Sequence, residues 1–272
     1  MITLISKPQM IEYIEKFLLS YETASNDKNV KREFIKGSFH LKIYHTGTIT
    51  ITGKDSKKVA SKLVKYTNEE NSLGFDEVGV GDFFGPTVYC GVCVEKDQLE
   101  WALENDIKIM DSKKLGDTYI LEKVKMLKDK FMHKYNVVYD KDLEKNLNSI
   151  EQKSFYHNQL YDQLPKDSRF IVIDLYTTVN NFNKVNDKLK LNWHENTVLE
   201  TKADSKYYSV ALASMFARYY FLQEMAMLRK KYNYNLPLGA NVKDIAKDVK
   251  EKIGKKEMAS FCKTTFKTFD EI

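Results

Sequence analysis

The stretch Leu73-Gly74-Phe75-Asp76-Glu77-Val78-Gly79-Val80-Gly81-Asp82-Phe83-Phe84-Gly85-Pro86 contains two adjacent carboxylates, Asp76 and Glu77, inside an apolar, glycine-rich run. Neighbouring side chains on a strand point to opposite faces, so one of the two acids should face a core. Burying an ionised carboxylate is costly unless something compensates its charge, and a divalent cation is one such compensation. The stretch alone therefore fits a metal-binding strand and an ordinary acidic hairpin turn equally well.

Three glycines of the same stretch, Gly79, Gly81 and Gly85, surround Asp82. Glycine is favoured where the backbone needs a positive φ or where a ligand approaches it closely. Residues 73–80 and 87–94 both have the composition of strands, so we expect a hairpin with the glycines in its turn.

The composition is that of an ordinary globular protein. The chain has 272 residues, 43% hydrophobic and 30% charged, which allows one large domain or two unequal ones. Its formal charge of +5 permits a nucleic-acid partner without requiring one. The three cysteines lack framework spacing, and Cys90 and Cys93 form a CxxC with no second pair. We therefore predict reduced thiols and a cytoplasmic protein, with no signal peptide and no membrane span.

The first 66 residues have a pattern of their own. Pro8 opens a run with helical spacing of apolar residues, and residues 39–51 alternate as a hairpin does. Asp55 or Ser56 can cap a following helix. The polar run that follows is typical of a linker. We predict a small helix–sheet–helix domain over 1–66, a linker over 67–72 and a larger domain over 73–272.

The larger domain alternates strands with helices. Further strands are predicted at about 135–139, 170–173 and 197–201, and a long helix is opened by residues 203–205. Other helices are predicted at about 97–105, 117–131, 141–163, 241–253 and 255–267. Such alternation predicts a layered α/β fold.

Two more acids stand at positions where a site could form. Asp174 ends a continuous apolar strand, and ligands collect at the carboxyl ends of strands in open α/β sheets. The alternative is that Asp174 caps the next helix near Thr178. Asp204 stands at the start of a helix, where a role as helix cap would be a sufficient explanation.

The helix after Asp204 is rich in small residues. These are Ser209, Ala211, Ala213, Ser214 and Ala217. Small side chains let a helix backbone approach a sheet, which would bring Asp204 against the strands of Asp76 and Asp174. Four converging carboxylates, Glu77 included, repel one another strongly at low dielectric, and two dications would balance their charge. A pair of divalent ions is an arrangement that cleaves phosphodiesters.

At this point the motifs resemble a known family. Residues 74–86 resemble the first motif of type 2 ribonucleases H, and more closely that of the ribonuclease HIII branch. Residues 111–115 (DSKKL) resemble the DSKxL motif of the family, and residues 202–218 resemble its KAD…VAxAS…AR region. Residues 236–240 and 263–266 are similar to its C-terminal part. The N-terminal segment is also similar to the TATA-binding-protein-like domain that precedes the catalytic domain of ribonucleases HIII.

The resemblance implies a fold, an activity and a set of metal ligands. The implied fold is a ribonuclease H-like mixed sheet flanked by helices, preceded by a small α+β TATA-binding-protein-like domain. The implied activity is endonucleolytic hydrolysis of the RNA strand of RNA/DNA hybrids with two Mg²⁺ or Mn²⁺ ions, leaving 5′-phosphate and 3′-hydroxyl ends. The catalytic, metal-binding acids would be Asp76, Glu77, Asp174 and Asp204.

The resemblance also implies substrate contacts. The Gly79-Val80-Gly81 backbone would contact ribose 2′-hydroxyls, the groups that distinguish RNA from DNA. Phosphate contacts are expected from Lys113, Lys202 and Arg218, for each of which solvated surface charge is the alternative. The chain departs from the usual family pattern at Leu175-Tyr176, which leaves the contacts just beyond Asp174 open.

Two alternative functions remain at this stage. One is a junction ribonuclease of the HII type that acts on single ribonucleotides in duplex DNA, although Val80 replaces the arginine of that branch. The other is a non-catalytic nucleic-acid-binding protein with structural acids. The five histidines are scattered without metal-ligand spacing, and nothing requires a protein partner, so we expect a monomer.

Overall fold

Two five-stranded sheets organise the chain, one built from residues before 53 and the other from residues after 71. The computed structural model describes residues 1–65, 72–144, 146–166 and 170–272, without the side chains of Lys96 and Phe170. The predicted linker therefore lies outside the described residues except for Ser72, which begins a strand of the second sheet. No helix in these ranges has both the length and the hydrophobicity needed to cross a lipid bilayer.

The first sheet is entirely antiparallel, in the order β1-β5-β4-β3-β2. Its strands are β1 (Ile2–Ile5), β2 (Glu22–Thr23), β3 (Val30–Lys36), β4 (Phe39–Tyr44) and β5 (Thr48–Thr52), and its helices are α1 (Pro8–Leu18) and α2 (Ser56–Val64). Burial alternates along β4 and β5, because only one face of the sheet packs against the apolar sides of the helices. The predicted helix, hairpin and second helix are confirmed.

The second sheet is mixed, in the order β10-β9-β6-β7-β8. Its strands are β6 (Ser72–Val78), β7 (Thr87–Val94), β8 (His133–Val138), β9 (Phe170–Asp174) and β10 (Thr197–Glu200). The strands β6, β7 and β8 form an antiparallel meander, while β9 lies parallel to both β6 and β10. The predicted mixed sheet is confirmed, and β6, which carries Asp76 and Glu77, is its central strand.

Eight helices accompany this sheet in the described part of the chain. They are α3 (Lys96–Glu104), α4 (Asp117–Leu127), α5 (Ser149–Tyr161), α6 (Val179–Leu189), α7 (Tyr208–Tyr232), α8 (Lys243–Ile253), α9 (Lys255–Met258) and α10 (Lys267–Asp270). The long helix predicted from residue 141 begins instead at Ser149, where the Asn148 side chain accepts the amides of Ile150 and Glu151 at 3.0 and 3.1 Å. Residues 140–142 form a separate 3-10 turn.

The prediction of one continuous helix over 255–267 is wrong. The structure has two short helices there, α9 and α10, because the backbone between them pairs with the glycine-rich turn. Phe84 and Cys262 form an isolated β-bridge, and the amide of Lys263 donates to the carbonyl of Phe83 at 2.8 Å. The backbone N–H and C=O groups of this segment thus bond to the glycine-rich turn, and they are not available for the hydrogen bonds of a continuous helix.

The helix α7 packs directly on β6 and β7. Its residues Ser209–Ala217 are all buried, so the first half of the helix lies inside the protein. A Cβ atom added at Gly74 of β6 would lie 2.3 Å from the backbone nitrogen of Val210. The predicted close approach of helix and sheet is therefore confirmed, and it requires a glycine on the strand as well as small residues on the helix.

The start of α7 also contacts the first sheet. The amide of Ile5 in β1 donates to the Tyr208 hydroxyl at 3.0 Å, and the ammonium of Lys7 lies 4.2 Å from the centre of the Tyr207 ring. The helix begins at Tyr208, so Asp204 lies in a 3-10 turn (Ala203–Ser205) before the helix and not at its first position. The N-terminal sheet is thus in contact with the segment that follows Asp204.

Candidate active site

The two adjacent acids of β6 point to opposite faces of the sheet. Asp76 faces α7, where the Ser214 hydroxyl forms a hydrogen bond with its carboxyl group. Glu77 faces α5, where its Oε1 lies 2.5 Å from the ammonium of Lys153. The prediction that alternation separates the two acids is confirmed. One of them meets the buried half of α7, and the other meets a charged helix face.

Asp174 ends β9 beside them. Its Oδ1 accepts the amide of Ala203 at 3.0 Å, which connects the strand end to the turn that carries Asp204. The helix that follows is capped by Thr178, whose hydroxyl accepts the amide of Asn181 at 3.2 Å. Asp174 is therefore not the cap of that helix. It connects the strand to the turn of Asp204.

The acids lie near enough to one another for each charge to change the pKa of its neighbours. Burial raises the pKa of Asp76 well above its ordinary value, and the charges of Glu77 and Asp204 raise it further, although the Ser214 hydrogen bond opposes this. Burial also raises the pKa of Asp204, with further contributions from Asp111 and Asp174. The buried Asp111 is therefore a fifth acid of this region, which we did not predict from the sequence.

The donor set suits a hard divalent cation, because Mg²⁺ and Mn²⁺ prefer carboxylate oxygens. Burial raises the pKa of Glu77 as well, and the charge of Asp174 adds to this, while Lys153 opposes it. Yet no three acidic, histidine or cysteine side chains within the described ranges lie close enough together to hold one ion as they stand. The ligand types fit a metal, and the side chains would have to draw together around it.

Two lysines lie among these acids. Burial lowers the pKa of Lys113, but the carboxylates of Asp76, Asp111, Asp204 and Asp174 together raise it above its ordinary value. Lys113 therefore lies close to the predicted acids, and its contact with phosphate stays a prediction. Lys153, on α5, was not predicted.

His157 was also missed. It is buried one helical turn after Lys153, with its Nε2 3.4 Å from Oε2 of Glu77. Burial and the nearby Lys153 charge lower the pKa of His157 to about 3, so the ring is neutral. The i,i+4 spacing of Lys153 and His157 is the sequence signal that could have indicated a shared helix face.

The glycine-rich turn borders a cleft of about 460 Å³. Glu77 lines this cleft together with Gly79, Val80, Gly81 and Lys113. Gly79 has a φ of +98°, as predicted from its residue type, and Val80 is 37% exposed. A Cβ atom added at Gly81 would have no neighbour within 4 Å. The turn therefore presents its backbone to the cleft.

The other two predicted phosphate contacts have different environments. Arg218 lines the cleft, but its guanidinium forms a bidentate pair with Asp117, at 2.9 and 3.0 Å. Lys202 is exposed at the start of the turn of Asp204, and it is not among the described residues that line the cleft. The structure thus brings Lys113 and Arg218 to the cleft and leaves Lys202 beside the acids.

The C-terminal segment is hydrogen-bonded to the glycine-rich turn. Oδ1 of Asp82 accepts the amide of Gly239 at 2.6 Å, and the ammonium of Lys263 donates to the carbonyl of Gly85 at 2.7 Å. Burial lowers the pKa of Lys263 to about 8. These contacts give the 236–240 and 263–266 segments a structural role at the site.

Comparison with known proteins identifies the family. The sequence model of a family described as Ribonuclease HII matches residues 73–269, nearly the whole of the larger predicted domain. The chain belongs to this family. As a member of the ribonuclease HII family it is a ribonuclease H, a hydrolase, as the motifs implied.

Several similar proteins are ribonucleases HIII, the branch of the family that we predicted. This chain is 32% identical to ribonuclease HIII of Ureaplasma parvum, in an alignment that covers 81% of this chain and 73% of the relative. It is 30% identical to ribonuclease HIII of Streptococcus pneumoniae, in an alignment that covers 95% of this chain and 94% of the relative. The solved structure of Bst-RNase HIII in complex with Mn²⁺ superposes with a TM-score of 0.71 at 22% identity, covering 99% and 97% of the two chains.

Proposed function

We propose that this ribonuclease H is an endonuclease that hydrolyses the RNA strand of RNA/DNA hybrids. The proposal rests on one observation above all. Asp76, Glu77, Asp174 and Asp204 lie on β6, at the end of β9 and in the turn before α7, where their charges influence one another, and Glu77 lines a cleft that is bordered by a glycine-rich turn. Family membership and the Mn²⁺ complex of Bst-RNase HIII support the same conclusion.

The four acids would hold two divalent cations, Mg²⁺ or Mn²⁺. When bound, such ions supply an activated water and stabilise the leaving oxygen of a phosphodiester. Asp76 and Asp204 would bind from the α7 side, Glu77 from the α5 side, and Asp174 from the end of β9. The expected products carry 5′-phosphate and 3′-hydroxyl ends.

Recognition of the RNA strand would use the backbone of the glycine-rich turn. Gly79, Val80 and Gly81 line the cleft next to Glu77, so a ribose 2′-hydroxyl in the cleft could reach their amides and carbonyls. Lys113, Lys202 and Arg218 would attract the phosphates. Arg218 is already paired with Asp117, so it would bind a phosphate either beside that carboxylate or in its place.

Gly81→Ala tests the glycine contact separately from the fold. Because an added Cβ meets no atom within 4 Å, the variant should keep the wild-type melting temperature, while the methyl group faces the ribose path and raises KM for a hybrid by about tenfold. Steady-state kinetics on a hybrid and thermal unfolding check both parts. An unchanged KM would show that Gly81 does not contact the substrate.

We further propose that residues 1–66 form a TATA-binding-protein-like domain that binds the hybrid, that the linker predicted over 67–72 ends before Ser72, the first residue of β6, and that the residues from Ser72 onward carry the chemistry. The family match to residues 73–269 supports this division. So does the separate sheet formed by β1 to β5.

Deletion of residues 1–66 is expected to raise KM for the hybrid at least about tenfold and to change kcat by a smaller factor, because it removes binding surface and keeps the four acids. The deletion also uncovers Tyr208, which Ile5 contacts in the full chain, so a thermal unfolding curve must first show that the truncated protein is folded. A folded truncated enzyme with unchanged KM would contradict a binding role for the N-terminal segment.

A cleavage assay on a long RNA/DNA hybrid, with Mn²⁺ or Mg²⁺ and with EDTA, tests the proposed function. We expect cleavage only with the metal, at internal sites of the RNA strand. A duplex with a single embedded ribonucleotide should be cut poorly, and preference for that substrate would indicate a junction ribonuclease of the HII type. No Mn²⁺ binding in calorimetry, together with no cleavage, would indicate a non-catalytic nucleic-acid-binding protein.

We also propose that the enzyme acts in the cytoplasm as a monomer without an obligate protein partner. All three cysteines are buried free thiols, which suits a reducing compartment. The four acids and the cleft belong to one chain, so the site is assembled without a second copy. Analytical ultracentrifugation of the purified protein would test the oligomeric state.

A further inference from the structure

Glu77 is held on the α5 side of the sheet by a lysine. The ammonium of Lys153 lies 2.5 Å from its Oε1, and the two side chains are only 19% and 12% exposed. The second carboxylate oxygen faces His157 at 3.4 Å. Because the histidine ring is buried and neutral, Lys153 is the group that compensates the charge of Glu77 on this side.

The lysine is itself held in place by aromatic packing. Its ammonium lies 5.1 Å from the centre of the Tyr176 ring, and the Tyr176 hydroxyl shares a 2.6 Å hydrogen bond with Ser154, the residue after Lys153. Tyr176 stands two residues after Asp174, where the sequence departs from the usual family pattern. Tyr176, a residue of this departure, therefore provides the ring that packs against the Lys153 ammonium.

The ion pair between Lys153 and Glu77 opposes the binding of a metal ion by Glu77. No three acidic, histidine or cysteine side chains among the described residues are close enough to hold one ion, and Glu77 forms its ion pair with Lys153 instead. A divalent cation that binds Glu77 would compete with the ammonium, because two cations beside one carboxylate repel each other and each weakens the binding of the other.

We propose that Lys153 is a positioning residue that acts as the counter-ion of Glu77 and competes with the divalent metal for it. In the metal-free protein it holds Glu77 toward α5 and balances its buried charge. Metal binding at Glu77 would release the ammonium, which would stay near the cleft, because Lys153 also lines a second groove, next to Val80, Tyr89 and Asp140. This inference rests on the proposed function, since it takes Glu77 as a metal ligand.

Mn²⁺ titration of the full-length protein by calorimetry tests the competition. Lys153→Met removes the charge and keeps the length of the side chain, so Mn²⁺ should bind about tenfold more tightly, as expected when a charge-assisted hydrogen bond no longer has to be broken first. Lys153→Arg keeps the competing charge and should bind Mn²⁺ within about threefold of wild type. The Mn²⁺ concentration that half-saturates cleavage should fall in parallel for the methionine variant.

Lys188→Met is the matched control. Lys188, on α6, pairs with Glu151 of α5 at 2.6 Å and not with one of the four acids, so its removal changes the net charge equally and should leave Mn²⁺ affinity unchanged. If Lys153→Met is misfolded by circular dichroism, Lys153→Gln serves in its place.

The outcomes separate this inference from the proposed function. If the wild-type protein binds no Mn²⁺, the proposed metal site itself fails. If the wild type binds Mn²⁺ and the folded neutral variant, Lys153→Met or Lys153→Gln, binds it equally or more weakly, the competition is disproved and the proposed function stands. An equal gain in the Lys188 control would also overturn the proposal, because the effect would then reflect only net charge.

Discussion

Asp76→Asn is expected to reduce the rate of hybrid cleavage by about a thousandfold or more. The carboxylate is the acid of β6 that faces α7 and Asp204, and an amide binds a divalent cation far more weakly than a carboxylate does. Loss of a metal that contributes several kcal/mol to the transition state corresponds to roughly this factor. Single-turnover cleavage of a long hybrid measures the effect.

The same variant should be at least as stable as wild type. Burial and neighbouring charges raise the pKa of Asp76 in the folded protein, so its ionised form costs stability at neutral pH, and this cost disappears as the pH falls and the group is protonated. Replacing the acid by a neutral amide removes that cost at every pH. An inactive variant with an unchanged or higher melting temperature would therefore assign the loss to chemistry and not to unfolding.

Asp162→Asn is the control for Asp76→Asn. Asp162 is an exposed acid after α5 whose partner is Lys166, so its neutralisation should leave both cleavage and binding unchanged. Hybrid binding by Asp76→Asn, measured by fluorescence anisotropy in EDTA, should match wild type. Cleavage by Asp76→Asn at a near wild-type rate would remove Asp76 from the metal site.

The sequence was sufficient for the parts of the site that depend on local rules. Alternation along a strand separated Asp76 from Glu77, and the end of an apolar strand marked Asp174. The small residues after Asp204 predicted a helix that approaches the sheet, which Gly74 and Val210 confirm. Each of these features follows from the spacing of residue types within one segment.

The parts that were missed depend on contacts between segments far apart in sequence. The sequence around Lys153 does not distinguish it from other helix lysines, and it reaches Glu77 only because α5 packs on the sheet at β7 and β8. The division of the last predicted helix follows from the β-bridge between Phe84 and Cys262. Helical periodicity cannot reveal either contact, because the partner lies about 75 or more residues away in the sequence.

Gly74→Ala is expected to be the most destabilising of three glycine-to-alanine substitutions. Its Cβ would lie 2.3 Å from backbone atoms of Ser209 and Val210, and neither β6 nor the buried half of α7 can move without disturbing the core. We expect a loss of about 3 kcal/mol or more in the free energy of unfolding, the upper part of the range for overpacking. Urea unfolding followed by circular dichroism measures the loss.

Gly91→Ala and Gly81→Ala complete the series. A Cβ at Gly91 would lie 2.7 Å from the Phe75 ring and 2.8 Å from Leu164, and because these are side chains that can shift, the expected loss is about 1–2 kcal/mol. At Gly81, where nothing lies within 4 Å, the change should stay within about 0.5 kcal/mol. The order of the three losses distinguishes a rigid backbone contact from an adjustable one. Equal stabilities for the Gly74 and Gly81 variants would mean that α7 can move away from β6. Asp76 and its Ser214 partner would then be held together less rigidly than the close packing of this helix and strand implies.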